Sequence, residues 1–214
     1  YDLLNHTLSV NIDRIWRRRA VNEVRRANPR RILDVATGTG DLAIALARRI
    51  RDVQVMGVDL SEEMLAVARR KVEARGLDSR IVLERGDAEH LEVADASVDA
   101  ATVAFGVRNF GDLAAGLREL ARTIRPGGKV VILEFSRPRN RVFRALYEFY
   151  SYKILPRIGG LVSRDKRAYE YLPASVGEFP APEEFMAMMA RAGFRNCRAR
   201  SQSFGIAQIY IGER

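Results

Sequence analysis

Arg31-Ile32-Leu33-Asp34-Val35-Ala36-Thr37-Gly38-Thr39-Gly40-Asp41-Leu42-Ala43 passes from a short apolar run through two glycines into a helical pattern. A strand that breaks at glycines and re-enters as a helix exposes backbone N–H groups to a ligand. Residues without Cβ let the ligand approach, and the helix N-terminus favours negative charge. The next apolar run, Val53 to Asp59, ends in an acid 19 positions after Gly40. At about that spacing a carboxylate meets the hydroxyls of a cofactor ribose in βαβ folds, so the pair predicts an adenosine site. The glycines alone do not choose the cofactor, because Gly38-x-Gly40-x-x-Ala43 also fits the dinucleotide fingerprint.

Outward from this stretch, strand and helix patterns alternate. Asp41 to Arg49 reads as the first crossover helix. Ser61 caps a second, with Glu62 and Glu63 in its first turn and Met64, Leu65, Ala68 and Val72 on its buried face. Arg80 to Glu84 and the nearly all-apolar Val98 to Phe105 are the third and fourth strands. Asp112 to Ile124 repeats the helical stripe, and Pro126-Gly127-Gly128 turns the chain into a fifth strand, Lys129 to Phe135. Pro182 starts a helix over 183–192, followed by a closing pair of strands around 197–200 and 206–212. The expectation is an α/β fold, a doubly wound and mostly parallel seven-stranded sheet with ligands at the carboxyl ends of its strands. Those ends are Gly38-Thr39-Gly40, Asp59, Asp87-Ala88, the 105–109 stretch and Glu134-Phe135-Ser136.

Two segments fall outside the alternation. Residues 1–29 read as an N-terminal helical segment whose buried stripe is Ile12, Ile15, Trp16, Ala20 and Val24, with Arg17, Arg18 and Arg19 largely beside it. Residues 137–173 break the rhythm: from Arg137 to Arg167 nine basic residues meet two acids, interleaved with aromatic and aliphatic side chains. That segment reads as an inserted helical cap between a core over 30–136 and a C-terminal part over 174–214, all within one domain.

Composition bounds the function. At 214 residues and 47% hydrophobic the chain suits a single α/β domain. No apolar run reaches the ~20 residues of a membrane span, so a soluble, cytoplasmic protein is expected. A chain that opens at Tyr1 without methionine leaves the question of a targeting segment open. One cysteine, Cys197, permits no internal disulfide and no multi-cysteine cluster. His6 and His90 stand alone, without a second ligand at metal-binding spacing, so no metal is expected. The net charge of +9 raises anionic partners, either nucleic acid or a membrane face.

Taken together, Leu33 to Asp41, Asp59, Gly86-Asp87-Ala88-Glu89, Phe105-Gly106-Val107-Arg108-Asn109, Pro126-Gly127-Gly128, Leu133-Glu134-Phe135-Ser136 and Leu155-Pro156-Arg157-Ile158-Gly159 resemble the ubiquinone/menaquinone biosynthesis C-methyltransferase family. The resemblance runs nearly the whole chain and implies a Rossmann-like class I methyltransferase fold. It implies S-adenosyl-L-methionine as cofactor and a demethylated isoprenoid quinol as substrate. On that reading Gly38, Thr39, Gly40, Asp59, Leu60, Asp87, Ala88 and Ala104 bind the cofactor. Phe105, Tyr150, Arg157 and Tyr171 meet the substrate, and Arg108 and Asn109 are the catalytic candidates. Ala104 stands where serine is common in the family, and Lys153 where some members have histidine.

The chemistry agrees with the resemblance. Methyl transfer to carbon needs in-line positioning and a carbon made nucleophilic by ionising the adjacent phenol, with no metal. A fixed guanidinium at a strand's carboxyl end would favour the phenolate, and Asn109 would orient the substrate or a water. A nicotinamide oxidoreductase would share the glycine loop, yet no His, Tyr-Lys or Ser constellation is evident at the later strand ends. A nucleic-acid methyltransferase would use the charge, but strand four ends in Ala104-Phe105-Gly106-Val107 rather than an acid-Pro-Pro-aromatic clamp. A binding module without chemistry is the third alternative. The partners expected are thus the quinol and an anionic membrane surface at the inner face of the cell membrane, not nucleic acid. The oligomeric state, with a homodimer as one option, stays open.

Overall fold

Val, Ile and Ala dominate the central strands because both faces of the sheet are covered, and a β-branched residue packs well on a pleat from either side. The computed structural model describes residues 12–138 and 175–214. The expected cap from residue 139 onward, with Tyr150, Arg157 and Tyr171, lies outside the described residues, as do Tyr1 and His6. In chain order the elements are α1 (Ile12–Arg25), β1 (Arg31–Val35), α2 (Asp41–Arg49), β2 (Gln54–Asp59), α3 (Glu62–Glu73), β3 (Ile81–Arg85) and β4 (Val98–Ala104). A short 3-10 turn (Val107–Asn109) leads to α4 (Leu113–Thr123), β5 (Ile124–Phe135), α5 (Pro182–Arg191), β6 (Arg195–Gln202) and β7 (Ala207–Glu213).

Among the described residues seven strands form one sheet in the order β3-β2-β1-β4-β5-β7-β6. The first five run parallel, and β7 enters antiparallel against β5, with β6 antiparallel at the edge. The strand order reverses between β1, which leads outward to β2 and β3, and β4, which leads the other way. That reversal opens a crevice at the carboxyl ends of β1 and β4, where ligands bind in such sheets.

Two sequence expectations are corrected. On α1 the buried face is Asp13, Trp16, Arg17, Ala20, Val21, Glu23 and Val24, whereas Ile12 and Ile15 are 39% and 51% exposed. The stripe is therefore rotated by one position from the one expected, and it carries a buried ion pair, Arg17 with Asp13 four residues apart. The fifth strand also starts earlier, at Ile124 paired with Val98. Pro126-Gly127-Gly128 sits inside it as an irregularity rather than before it. Gly128 is required there by close approach: a Cβ would stand 2.7 Å from the carbonyl oxygen of Asp99.

The core lies on both faces. One cluster joins α1 and α2 to the sheet through Trp16, Val24, Leu46, Val131 and Ile209. The other joins α4 and α5 through Leu117, Leu120, Phe185 and Tyr210. Burying side chains of this size contributes about 1.5–3 kcal/mol each. Among the described residues no helix is long and apolar enough to cross a membrane.

Candidate active site

The strand-to-helix turn after β1 is built by left-handed residues. Ala36, Gly38 and Gly40 have φ of 51°, 56° and 79°. A Cβ on Gly38 would meet nothing within 4 Å, because that direction is open cavity. On Gly40 it would press on Ala68 of α3 at 3.1 Å. The Thr37 N–H donates to Val58 and the Gly40 N–H to Thr37, which closes the loop against β2. At the end of β4, Phe105 is also left-handed, at φ 59°, a costly conformation for a bulky residue. Gly106 must follow it, since a Cβ there would stand 2.5 Å from the Cβ of Ala36.

These turns enclose a cavity of about 440 Å³, within the range of small-molecule sites. Of the sequence-predicted cofactor residues, Gly38, Thr39, Asp59, Leu60, Asp87, Ala88 and Ala104 line it; Gly40 stands behind as the N-cap of α2. Phe105 and Asn109 line it as well. Thr39 receives a hydrogen bond from Lys71 Nζ at 2.8 Å. Lys71 also pairs with Asp41 at 2.5 Å.

Asp59 is held in place by the backbone. Its Oδ2 accepts from the Gly38 N–H at 2.7 Å, and its Oδ1 from the Ser61 N–H at 2.9 Å. A carboxylate has about four acceptor sites, so one lone pair on each oxygen remains for a ligand. Ser61 caps α3 by accepting from Met64. On the next strand end, Asp87 accepts from the Glu89 N–H at 2.9 Å, and Glu89 accepts from the Gly111 and Asp112 N–H groups at 2.6 and 3.0 Å. Each acid of the rim thus fixes a neighbouring loop.

Arg108 is seated differently from a cation facing a substrate. Its side chain is fully buried, with Nη1 2.7 Å from Oε1 of Glu134, itself fully buried. The same nitrogen donates to the Phe105 carbonyl at 2.6 Å, and the guanidinium lies over Phe135, 5.5 Å from its centroid. The Arg108 side chain is not part of the cavity wall. It pins the strained Phe105 turn from behind, while the next residue, Asn109, reaches the cavity. Trp16, Phe105 and Phe135 pack together beneath this turn, with Phe105 and Phe135 centroids 4.5 Å apart, and of the three Phe105 lines the cavity.

Of the wall residues outside the sequence-predicted set, two are both charged and buried. Asp34 is buried in the cavity floor, where Thr102 and Thr37 hydroxyls donate to its two oxygens at 2.6 and 2.7 Å. Burial pushes its pKa up to about 6, against the two hydroxyl hydrogen bonds and the nearby Arg17, which pull it down. Its signal was a lone acid in an apolar strand. Arg17 is the other, and its signal was Asp13 one helical turn away. His90 is exposed, and burial pushes the half-buried Cys197 thiol up. Among the described residues no group of acids, histidines and cysteines is arranged to hold a metal.

The cavity's charge opposes that of the chain. Among the described residues Asp34, Asp41, Asp59, Asp87 and Glu89 line it against one cation, Arg17, in a protein of net charge +9. A diphosphate would be repelled at such a wall, and a cationic ligand held. The sequence matches the ubiE/COQ5 methyltransferase family over residues 1–214. The chain belongs to that family.

Relatives in the ubiE/COQ5 family agree over the full length. The chain is 50% identical over 215 residues to a ubiquinone/menaquinone biosynthesis C-methyltransferase, UbiE, of Geobacter sulfurreducens, covering all of this chain and 84% of that one. It is 50% identical to a demethylmenaquinone methyltransferase of Thermus thermophilus, covering all of this chain and 96% of the relative. In fold it is similar to an S-adenosylmethionine-dependent methyltransferase structure from Methanococcus maripaludis, with TM-score 0.67 and 19% identity over 100% of this chain and 90% of the other. A structure from Aquifex aeolicus aligns with TM-score 0.63 and 20% identity over 86% and 82%. The protein is a methyltransferase with the class I fold, and its cofactor is S-adenosyl-L-methionine. The residues present fit that cofactor, because a sulfonium and an ammonium suit the acidic wall and a ribose suits the open lone pairs of Asp59.

Proposed function

We propose that this chain methylates a ring carbon of a demethylated isoprenoid quinol, demethylmenaquinol or a ubiquinol precursor, in quinone biosynthesis. What carries the reading is that one cavity is lined both by acids, Asp34, Asp59 and Asp87, and by apolar side chains, Leu42, Met64, Phe105 and Phe110. The names of the full-length relatives support the quinone assignment.

S-adenosylmethionine, when bound, supplies an electrophilic methyl group on sulfur. Asp59 accepts the ribose hydroxyls with the lone pairs that Gly38 and Ser61 leave open. Leu60, 60% exposed at the mouth, covers the adenine, and Gly38, Thr39, Asp87, Ala88 and Ala104 complete the contact, with Gly40 shaping the turn. The quinol ring lies in the part of the cavity lined by Phe105, Phe110 and Asn109. Asn109 donates to the quinol oxygen once its proton has passed to water; the carbon–methyl bond forms as the sulfur–methyl bond breaks to leave S-adenosylhomocysteine, and the ring proton then leaves to water as the ring rearomatises. Arg108 acts through Phe105 and Asn109 as a positioning residue. Holding the two reacting atoms in line in a water-poor cavity lowers the barrier by up to roughly 7–11 kcal/mol in well-oriented systems.

The segment over 137–173, with Tyr150, Arg157 and Tyr171, supplies the substrate's cover and a peripheral contact with anionic membrane. An isoprenoid tail stays in lipid or in an apolar channel, and each basic residue near an anionic leaflet contributes about 1 kcal/mol. The basic residues of this segment, nine against two acids between Arg137 and Arg167, are assigned to the membrane contact rather than to nucleic acid. Binding to liposomes should rise with anionic lipid and fall with salt; vesicles ignored by the wild type would remove this part of the reading. For the reaction itself, mass spectrometry of quinones is decisive in cells that lack and then regain the gene. Demethylated quinone should accumulate on deletion and disappear on return, and an unchanged quinone pool would contradict the proposal.

A further inference from the structure

Arg17 is buried, 8% exposed, and yet it lines the cavity. A guanidinium carried on the buried stripe of α1 loses hydration that an apolar residue would not lose, so its ion pair with Asp13 is weak grounds for its presence. The two carboxylates it meets, Asp13 and, at 3.9 Å, Asp41, are both met through Nη1. A guanidinium has five N–H donors, and Arg17 makes no other hydrogen bond among the described residues. Its plane is steadied by the Phe105 ring, 5.4 Å away. Asp13, fully buried, anchors it from below.

Around this cation the wall is acidic. Asp34 stands nearby with both oxygens fixed by hydroxyl donors. An α-amino acid end group presents one cation and one anion on the same carbon. The cavity offers one fixed carboxylate and one fixed guanidinium at the glycine-loop end, in a wall otherwise suited to positive charge. We infer that Arg17 receives the α-carboxylate of the cofactor's methionyl group, so that helix α1 reads the amino-acid end of the ligand. Bidentate guanidinium–carboxylate recognition gives geometric selectivity as well as affinity. The inference rests on S-adenosylmethionine occupying this cavity.

Calorimetric binding of S-adenosylmethionine and of its decarboxylated analogue, which lacks only the carboxylate, tests it. The wild type should bind the carboxylate-bearing ligand about 10–150-fold more tightly, the range for a hydrogen bond between charged groups. Arg17→Gln combined with Asp13→Asn removes the cation without stranding a buried carboxylate. It should weaken binding of S-adenosylmethionine by about that factor and leave the decarboxylated analogue within about twofold. Arg17→Lys, which keeps the charge but not the fork, should retain part of the preference and fold as the wild type does. Equal affinity of the wild type for both ligands, or an equal loss for both in the double variant, would overturn the assignment. Failure of the wild type to bind either ligand would overturn the cofactor's place in the cavity and the inference with it.

Discussion

Arg108 Nη1 lies 2.7 Å from Glu134 Oε1, with both side chains fully buried, so the ends of β4 and β5 are tied by an ion pair that water does not reach. Breaking one partner of such a pair leaves a buried charge uncompensated, at about 3–5 kcal/mol. Arg108→Ala should lose that much in a denaturant titration. Arg108→Met with Glu134→Leu should regain most of it. Turnover should stay low in the double variant, because the Phe105 carbonyl has lost its donor. Cofactor affinity measured on the same protein should change little. Full recovery of turnover with stability would show that the pair serves the fold alone.

Asp59 supports a sharper prediction on binding. Both oxygens are already oriented by backbone N–H groups, so a ligand meets a preorganised acceptor. Asp59→Ala should weaken cofactor binding by about 1.5–3 kcal/mol, read by calorimetry on a variant whose circular dichroism is unchanged. Unaltered affinity would remove Asp59 from the ribose.

Asp34 gives the site a pH dependence. Its folded pKa of about 6 lies above the ordinary 3.8, so between those values the folded state holds a proton that the unfolded state has released. Asp34's own contribution to ligand-free stability should therefore be full below about pH 4 and be lost as pH rises through 6, by about 3 kcal/mol at ~1.4 kcal/mol per pH unit, read as the difference between wild type and Asp34→Asn. Cofactor affinity should run the other way, rising through pH 6 as the carboxylate forms beside the cationic ligand. In Asp34→Asn both trends should flatten; an affinity profile that keeps its step near pH 6 would assign the step elsewhere.

Gly106 is constrained by close approach rather than by its own backbone angle. A methyl there meets the Ala36 Cβ at 2.5 Å, joining two left-handed turns with no flexible side chain to yield. Gly106→Ala should destabilise by about 1–3 kcal/mol, the usual cost of overpacking. It should also widen the crevice between β1 and β4 enough to lower turnover. A variant with wild-type melting temperature and activity would show that the turns shift freely.

Much of this was legible in the sequence because strand ends advertise themselves. Gly38 to Gly40, Asp59 and Asp87 are small or acidic residues after apolar runs, and they converge on one cavity because a parallel sheet puts all its carboxyl ends on one edge. The buried face of α1 lies one position away from the apolar stripe, because Ile12 and Ile15 are the more hydrophobic residues while Asp13 and Arg17 carry charges that are ordinarily solvated. The buried pair was visible only as an acid and a base four residues apart. Arg108 was correctly placed at the end of a strand, but Glu134, which turns its guanidinium inward, is 26 residues away. No local pattern announces that pairing. The early start of β5 was hidden by Pro126-Gly127-Gly128, which reads as a break where the chain in fact bulges within a strand.

The central claim is methyl transfer from S-adenosylmethionine to a quinol carbon, and isotopic labelling tests it most directly. Purified protein would be incubated in detergent or liposomes with demethylmenaquinol and S-adenosylmethionine carrying a labelled methyl group. The product would then be resolved by mass spectrometry and carbon nuclear magnetic resonance. One labelled methyl per quinone is expected, bonded to a ring carbon and dependent on Asp59. Label on an oxygen, or no incorporation by protein that binds S-adenosylmethionine, would contradict it.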